Sequence, residues 1–159
     1  MKMNLLSKIS FIFNKPKIVV VTRADQELTR KTVSRILGHP FALEQKITIT
    51  DIQSMTALPT QGYLILDHDD ESIRKLKESA QGKVLTFGFQ FGADFQATDI
   101  KINGGTNFKI NYRGSIVPIW LEKPFNEEQI YPFLAAIAIG TVWDLNLVEI
   151  SQALKIVTK

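Results

Sequence analysis

The chain predicts an α/β fold of three layers, a mostly parallel sheet flanked by helices with a small antiparallel β-meander attached. Three observations carry this expectation. Gly62 to Phe89, GYLILDHDDESIRKLKESAQGKVLTFGF, reads as strand, acidic turn, helix and strand, which is a βαβ unit. Lys17-Ile18-Val19-Val20-Val21-Thr22 is a nearly continuous β-branched run leading into a helical pattern. Between residues 97 and 121, three segments alternate with period two, separated by Asn103-Gly104-Gly105 and Arg113-Gly114, both hairpin signals.

Residues 1–15, MKMNLLSKISFIFNK, carry Leu5, Leu6, Ile9, Phe11, Ile12 and Phe13 between lysines and read as an amphipathic leader. Lys8 breaks the apolar stretch and no small-residue cleavage site follows, so a secretory signal does not fit. A helix lying on a membrane surface and a helix packing on the domain or a partner are both open. Residues 16–159 are expected to form one domain. Pro16 ends the leader, and after the first strand a polar turn, Arg23 to Glu27, precedes a helix over 28–37 that Gly38 and Pro40 stop. Lys46 to Thr50 alternates like a strand, and Asp51 to Thr60 reads as loop. In the βαβ unit, Tyr63 to Leu66 is a buried strand, Asp70 an N-cap, Gly82 the helix stop and Lys83 to Phe87 the next strand. The meander strands are Ala97 to Ile102, Asn107 to Tyr112 and Ser115 to Leu121. Pro124 closes them, an apolar helix follows over 126–140, and a last helix over 147–156.

With 159 residues, 45% apolar and 22% charged, the chain can bury a real core and is not disordered. A net charge of +3 with scattered basic residues does not point to nucleic acid. The absence of cysteine excludes disulfides, thiolate metal sites and Cys nucleophiles. No apolar run approaches the roughly 18 residues that span a bilayer, so the expected setting is the cytoplasm, with the inner membrane surface open through the leader.

In order and spacing, KPKIVVVT, LILDHDD, GKVLTFGF, GADFQATDI, GGTNFKINYRG and FLAAIAIGTVWDLNLVEISQAL resemble the central, ATP-binding domain of the Mur ligases. These are the amide ligases of peptidoglycan precursors, with folylpolyglutamate synthases as relatives. The match covers about residues 16–37 and 61–155. It implies a shortened sheet of the P-loop type, ATP with Mg²⁺ as cofactors of any retained activity, and a cell-wall precursor or a protein as partner. The positions that correspond to the nucleotide site are Thr22, Arg23, Glu27, Lys31, Thr32, Asp67, Asp69 and Asp70. No catalytic residue and no metal ligand is assigned.

Three departures from the family pattern stand out. A phosphate loop needs glycines so that backbone N–H groups close on the phosphates, and a Lys to neutralise charge. Here that slot reads Arg23-Ala24-Asp25-Gln26-Glu27-Leu28, with no glycine and with Glu27 where the Lys belongs; Lys31-Thr32 lies a turn further on. Only residues 38–60 stand where the family carries a long metal-binding segment. The entrance to the alanine-rich helix, G-x-H-N-x-x-N in the family, reads Asn126 to Pro132, with Glu128, Gln129 and Pro132 at the His and Asn positions. There is also no room for the family's UDP-sugar and carboxy-terminal domains. The reading that follows is a domain that no longer ligates and serves as a binding or regulatory module. An active ligase whose phosphate site uses Arg23, Arg30 and Lys31, and a membrane-surface module held by residues 1–15, are the alternatives. Asp67, Asp69 and Asp70 suit a capping, solvated turn better than a cation site; His68 has no second His nearby; Ser72, Ser79 and Ser115 lack triad partners; Trp120 and Trp143 read as core or rim aromatics.

Overall fold

The computed structural model describes residues 14–38 and 46–157. The leader, apart from Asn14 and Lys15, lies outside the described residues, as do His39 and the helix stop expected at Pro40. The elements are β1 (Ile18–Val21), α1 (Gln26–Leu37), β2 (Ile47–Thr50), β3 (Tyr63–Asp67), α2 (Glu71–Arg74), β4 (Lys83–Gly88), β5 (Phe95–Ile102), β6 (Thr106–Tyr112), β7 (Ser115–Leu121), α3 (Glu127–Val142) and α4 (Leu147–Val157). One seven-stranded sheet runs β2-β1-β3-β4-β5-β6-β7. The first five strands are parallel, and β6 and β7 are antiparallel.

The meander therefore continues the sheet instead of hanging from it. The join is narrow: only Phe87 with Phe95 and Gly88 with Gln96 pair between β4 and β5. A helical crossover normally separates parallel neighbours. Here residues 89–94 do the work, because the Asp94 carboxylate accepts from the Thr86 N–H at 2.8 Å and from its hydroxyl at 3.1 Å. That pin brings β5 in beside the end of β4 and sends it on past the carboxyl edge of the parallel strands.

Two cores lie on the two faces. The larger is organised by α3, on which every residue from Ile130 to Gly140 is buried. Such a helix cannot be amphipathic; it must be covered all round. The sheet contributes Ile65, Phe87, Phe108, Ile110 and Ile119, α1 contributes Val33 and Ile36, and α4 contributes Ile150 and Leu154. Each fully buried Ile, Leu or Phe contributes about 1.5–3 kcal/mol, so this cluster dominates the favourable side of folding. On α1, Thr29 and Thr32 share the buried stripe, and their hydroxyls donate to Asp25 O and Leu28 O at 2.7 Å each. The smaller core packs Val21, Leu64, Leu66 and Ile73 with Ile52, Met55 and Leu58 of the 51–62 connection.

The crossover helix of the βαβ unit is shorter than its sequence suggests. Asp70 caps it as expected, accepting from the Ile73 N–H at 3.1 Å. After Arg74 the chain tightens into a 3₁₀ turn over Lys75–Ser79. Ile73 is the only buried residue of α2, and the 3₁₀ turn has none. With so little apolar surface to hold a longer helix, the tighter form is used.

Both sheet edges are stopped. The Arg113-Gly114 turn has positive φ at both residues, a type I′ geometry that makes Tyr112 and Ser115 the closing pair. Counting along β7, Pro118 falls where the backbone nitrogen faces the free edge, the one place a strand proline is tolerated. Its carbonyl accepts from Ser151 Oγ of α4 at 3.0 Å. On β2, the Ile49 carbonyl accepts from Arg30 Nη2 at 3.3 Å.

At the amino end of β3, Gly62 has φ +79°, and a Cβ there would meet Lys17 O at 2.2 Å. Both the backbone conformation and the space require glycine. Gly62→Ala is expected to cost about 2 kcal/mol or more, read as a fall in urea midpoint; an unchanged midpoint would show that the β1–β3 approach relaxes freely.

Candidate functional site

The site lies at the carboxyl edge of β1, β3 and β4, where open α/β sheets bind ligands. Four residues, Thr22 to Asp25, join β1 to α1. Thr22 is buried and its Oγ1 accepts the Ala24 N–H at 3.0 Å, which tightens the turn. Asp25 is the N-cap of α1, its carboxylate accepting the Leu28 N–H at 3.0 Å. The helix N-terminus, the natural seat for an anion, thus holds one of the chain's own.

Beside it, Arg23 reaches across to β3. Its Nε lies 3.3 Å from Asp67 Oδ2 and 4.0 Å from Asp70 Oδ2. Its guanidinium also lies over the Tyr131 ring, 5.4 Å from the centroid. Asp67 is fully buried, while the Arg23 side chain is 45% exposed, so the pair has one wet partner. Burial pushes the Asp67 carboxyl above the usual carboxylate range, against the Asp69 N–H that it accepts at 3.0 Å and the facing guanidinium.

Asp69 is the most heavily bonded group. Its Oδ2 accepts the Phe89 N–H at 2.7 Å and the Tyr131 hydroxyl at 2.7 Å; its Oδ1 accepts the Gln90 N–H at 3.1 Å. It fills the space over Gly88, where a Cβ would meet its Oδ1 at 2.4 Å. Burial and the Asp69 carboxylate push the Tyr131 hydroxyl well above its ordinary range, so it remains a donor. His68 completes the rim: its Nε2 is 3.3 Å from Phe91 O, and its own carbonyl accepts from Arg74 at 2.8 Å.

Of the positions expected from sequence, Thr22, Arg23, Asp67, Asp69 and Asp70 come together here. Glu27 and Lys31 lie on the exposed side of α1, and Thr32 is buried with its hydroxyl spent on Leu28 O. Sequence reasoning missed Tyr131, Gly88 and the Phe89-Gln90 backbone as partners of Asp69. Tyr131 is 62 residues from Asp69, and only its place at the start of the apolar helix marked it. Chemically, the cluster is a satisfied network. Its three carboxylates are taken up by backbone N–H groups, a phenol and one guanidinium.

Tyr131→Phe removes a hydrogen bond to a charged acceptor and is expected to destabilise by about 1–2 kcal/mol; an unchanged denaturation midpoint would mean the two N–H groups hold Asp69 alone. Asp67 gives a pH signature. Its folded pKa lies above its unfolded value, so ionised Asp67 disfavours folding, and that penalty is lifted as the carboxyl protonates. Wild type should therefore gain stability relative to Asp67→Asn as pH falls from about 7 to about 4, and lose it again as pH rises. A difference that moves the opposite way in parallel urea titrations would overturn the assignment.

No family model matches the chain. It is 28% identical over 151 residues to the UDP-N-acetylmuramate–L-alanine ligase of Hydrogenovibrio crunogenus, covering 93% of this chain and 31% of that protein. The corresponding ligase of Syntrophobacter fumaroxidans is also 28% identical over 151 residues, covering 94% and 30%. Among solved structures, MurF of Acinetobacter baumannii superposes with a TM-score of 0.69 at 14% identity, over 92% of this chain and 46% of that one. MurF of Thermotoga maritima, solved in complex with ADP, superposes with a TM-score of 0.61 at 13% identity, over 89% and 49%. These structures share the mostly parallel sheet and its helices. The chain spans about a third of the length of the curated relatives it matches. In sequence it is similar to part of these ligases, and its fold is that of the MurF structures.

Proposed function

We propose that this chain is a ligase-like domain of the peptidoglycan-precursor class that has lost ATP-dependent amide ligation. It acts as a binding or regulatory module for a protein partner or a cell-wall precursor, in the cytoplasm. The observation that carries the reading is the closure of the β1–α1 turn by the chain's own charges. Asp25 occupies the N-terminus of α1, and Arg23 is drawn onto buried Asp67. A triphosphate entering there would displace a capping carboxylate and meet it at close range, a repulsion of about 1–4 kcal/mol at 4 Å in a partly wet site. It would also find no glycine in the turn to open its backbone N–H groups. Arg30, a candidate for an atypical phosphate site, is engaged on the far side with Ile49 O, and Lys31 stands away from the turn.

The division of roles within the site supports the same reading. The parts that hold the fold together, Asp69 with Tyr131 and the Phe89-Gln90 backbone, are intact and tightly bonded. The parts that would have to receive phosphate are occupied. The residues present do not fit a bound Mg-ATP.

Calorimetry with Mg-ATP tests the proposal, with Asp25→Gly and Arg23→Ala alongside wild type. The expected result is no binding by wild type tighter than about 1 mM. A wild-type dissociation constant in about the micromolar range would overturn the proposal and restore the ligase reading.

A further inference from the structure

The first described residues are pinned at the corner between α3 and α4. Lys15 Nζ donates to Trp143 O at 3.2 Å and lies 3.3 Å from Asp144 Oδ2, and Trp143 Nε1 donates to Pro16 O at 3.2 Å. Next to Asp144, Leu145 opens a cavity of about 470 Å³ between that corner and the start of β7. Tyr112, Val117, Thr141, Leu147 and Val148 supply its other walls. These walls are held in place: Tyr112 stacks on Phe95 with ring centroids 4.0 Å apart, and the Leu145 N–H donates to Gly140 O at 3.0 Å. Yet Val148 is 57% exposed on the first turn of α4, and Val117 and Leu145 are only half-buried. The groove is separate from the carboxyl-edge cluster, since Thr141 stands ten residues along α3 from Tyr131, about 15 Å away.

We propose that residues 1–13 of this chain seat their apolar side chains in this groove. The segment leads straight to the pin, since Asn14 alone separates Phe13 from Lys15. Its length reaches about 20 Å even at the short rise of a helix, so the groove, which begins one residue from Asp144, lies within its span. The compositions match. Leu5, Leu6, Ile9, Phe11, Ile12 and Phe13 offer apolar surface to Val117, Leu145 and Val148. The segment also carries Lys2 and Lys8 and no acidic residue. On the α4 side the groove is acidic: Asp144 holds Lys15, and Glu149 lines the wall with its side chain tied to Asn146. Arg113 is kept on the opposite, β7 side, over the Tyr112 ring at 5.1 Å from the centroid. A cavity this open holds a separate peptide weakly. A segment tethered at Lys15 meets it at an effective concentration of about a millimolar or more, which favours this occupant over a separate chain. The inference does not rest on the function proposed above.

The chain has no cysteine, so Ser7→Cys gives a single attachment point for a nitroxide in the full chain, and its broadening of ¹⁵N-labelled amides maps where the segment sits. The expected result is the strongest broadening at Val117, Leu145 and Val148, unchanged when the sample is diluted. Val148→Glu places a charge against the apolar walls and should cut the broadening at Val117 and Leu145 about fivefold or more. Glu149→Lys sets a like charge against Lys2 and Lys8 and should cut it about twofold or more. Val148 and Glu149 are both exposed, so these variants keep the fold. Broadening centred elsewhere, or as strong in Val148→Glu as without it, would overturn the proposal. So would broadening seen only between a ¹⁵N-labelled chain and a separate nitroxide-labelled one, which would assign the groove to a second copy.

Discussion

The architecture depends on one helix that cannot face water on any side. Because α3 is buried from Ile130 to Gly140, it must be enclosed by the sheet below it and by α1 and α4 beside it. That demand fixes the side of the sheet on which both flanking helices lie. It also leaves the other face to the thinner cover of α2, its 3₁₀ extension and the 51–62 connection. Tyr131, at the start of the buried run, is carried by the same constraint to the carboxyl edge, where its hydroxyl closes the Asp69 network.

At the carboxyl edge the charged side chains are bonded mainly to one another and to the backbone. Asp69 links the β3 turn, the β4 turn and α3 through three hydrogen bonds, so it is a structural hub. Arg23 and Asp67 form a pair with one partner in solvent, which costs less than two buried charges and still leaves the acid under strain from burial. The turn after β1 and the turn after β3 thus face each other across this pair.

Much of the fold was legible because it rests on local rules. β7 was bounded correctly at both ends by its hairpin turn and its alternation. Asp70 was read as an N-cap from its place before an apolar spacing, and it caps α2 through the Ile73 N–H. What escaped depends on contacts distant in sequence or on scarcity. The 3₁₀ turn after Arg74 reflects how few apolar residues follow Ile73, which a helical spacing does not reveal. The joining of the meander to β4 through two residue pairs depends on Asp94 pinning back to Thr86, a loop residue with no periodic signal. Tyr131 meets Asp69 only once the whole sheet is built. Lys31 and Thr32 looked suggestive as residue types, but α1 begins at Gln26, and its helical phase decides their directions.

The stopped edge of β7 bears on how the chain is made. Pro118 and the Ser151 hydroxyl block the outer side of that strand, but Ser151 belongs to α4, which is synthesised after every strand of the sheet. While α4 is still emerging from the ribosome, the growing sheet presents an open edge at β7, with Ile119 and Leu121 not yet fully covered. Proline alone guards that edge in the interval. The sheet is thus at its most adhesive before α4 is made, and the arrival of that helix is what ends the exposure of β7 to neighbouring polypeptides.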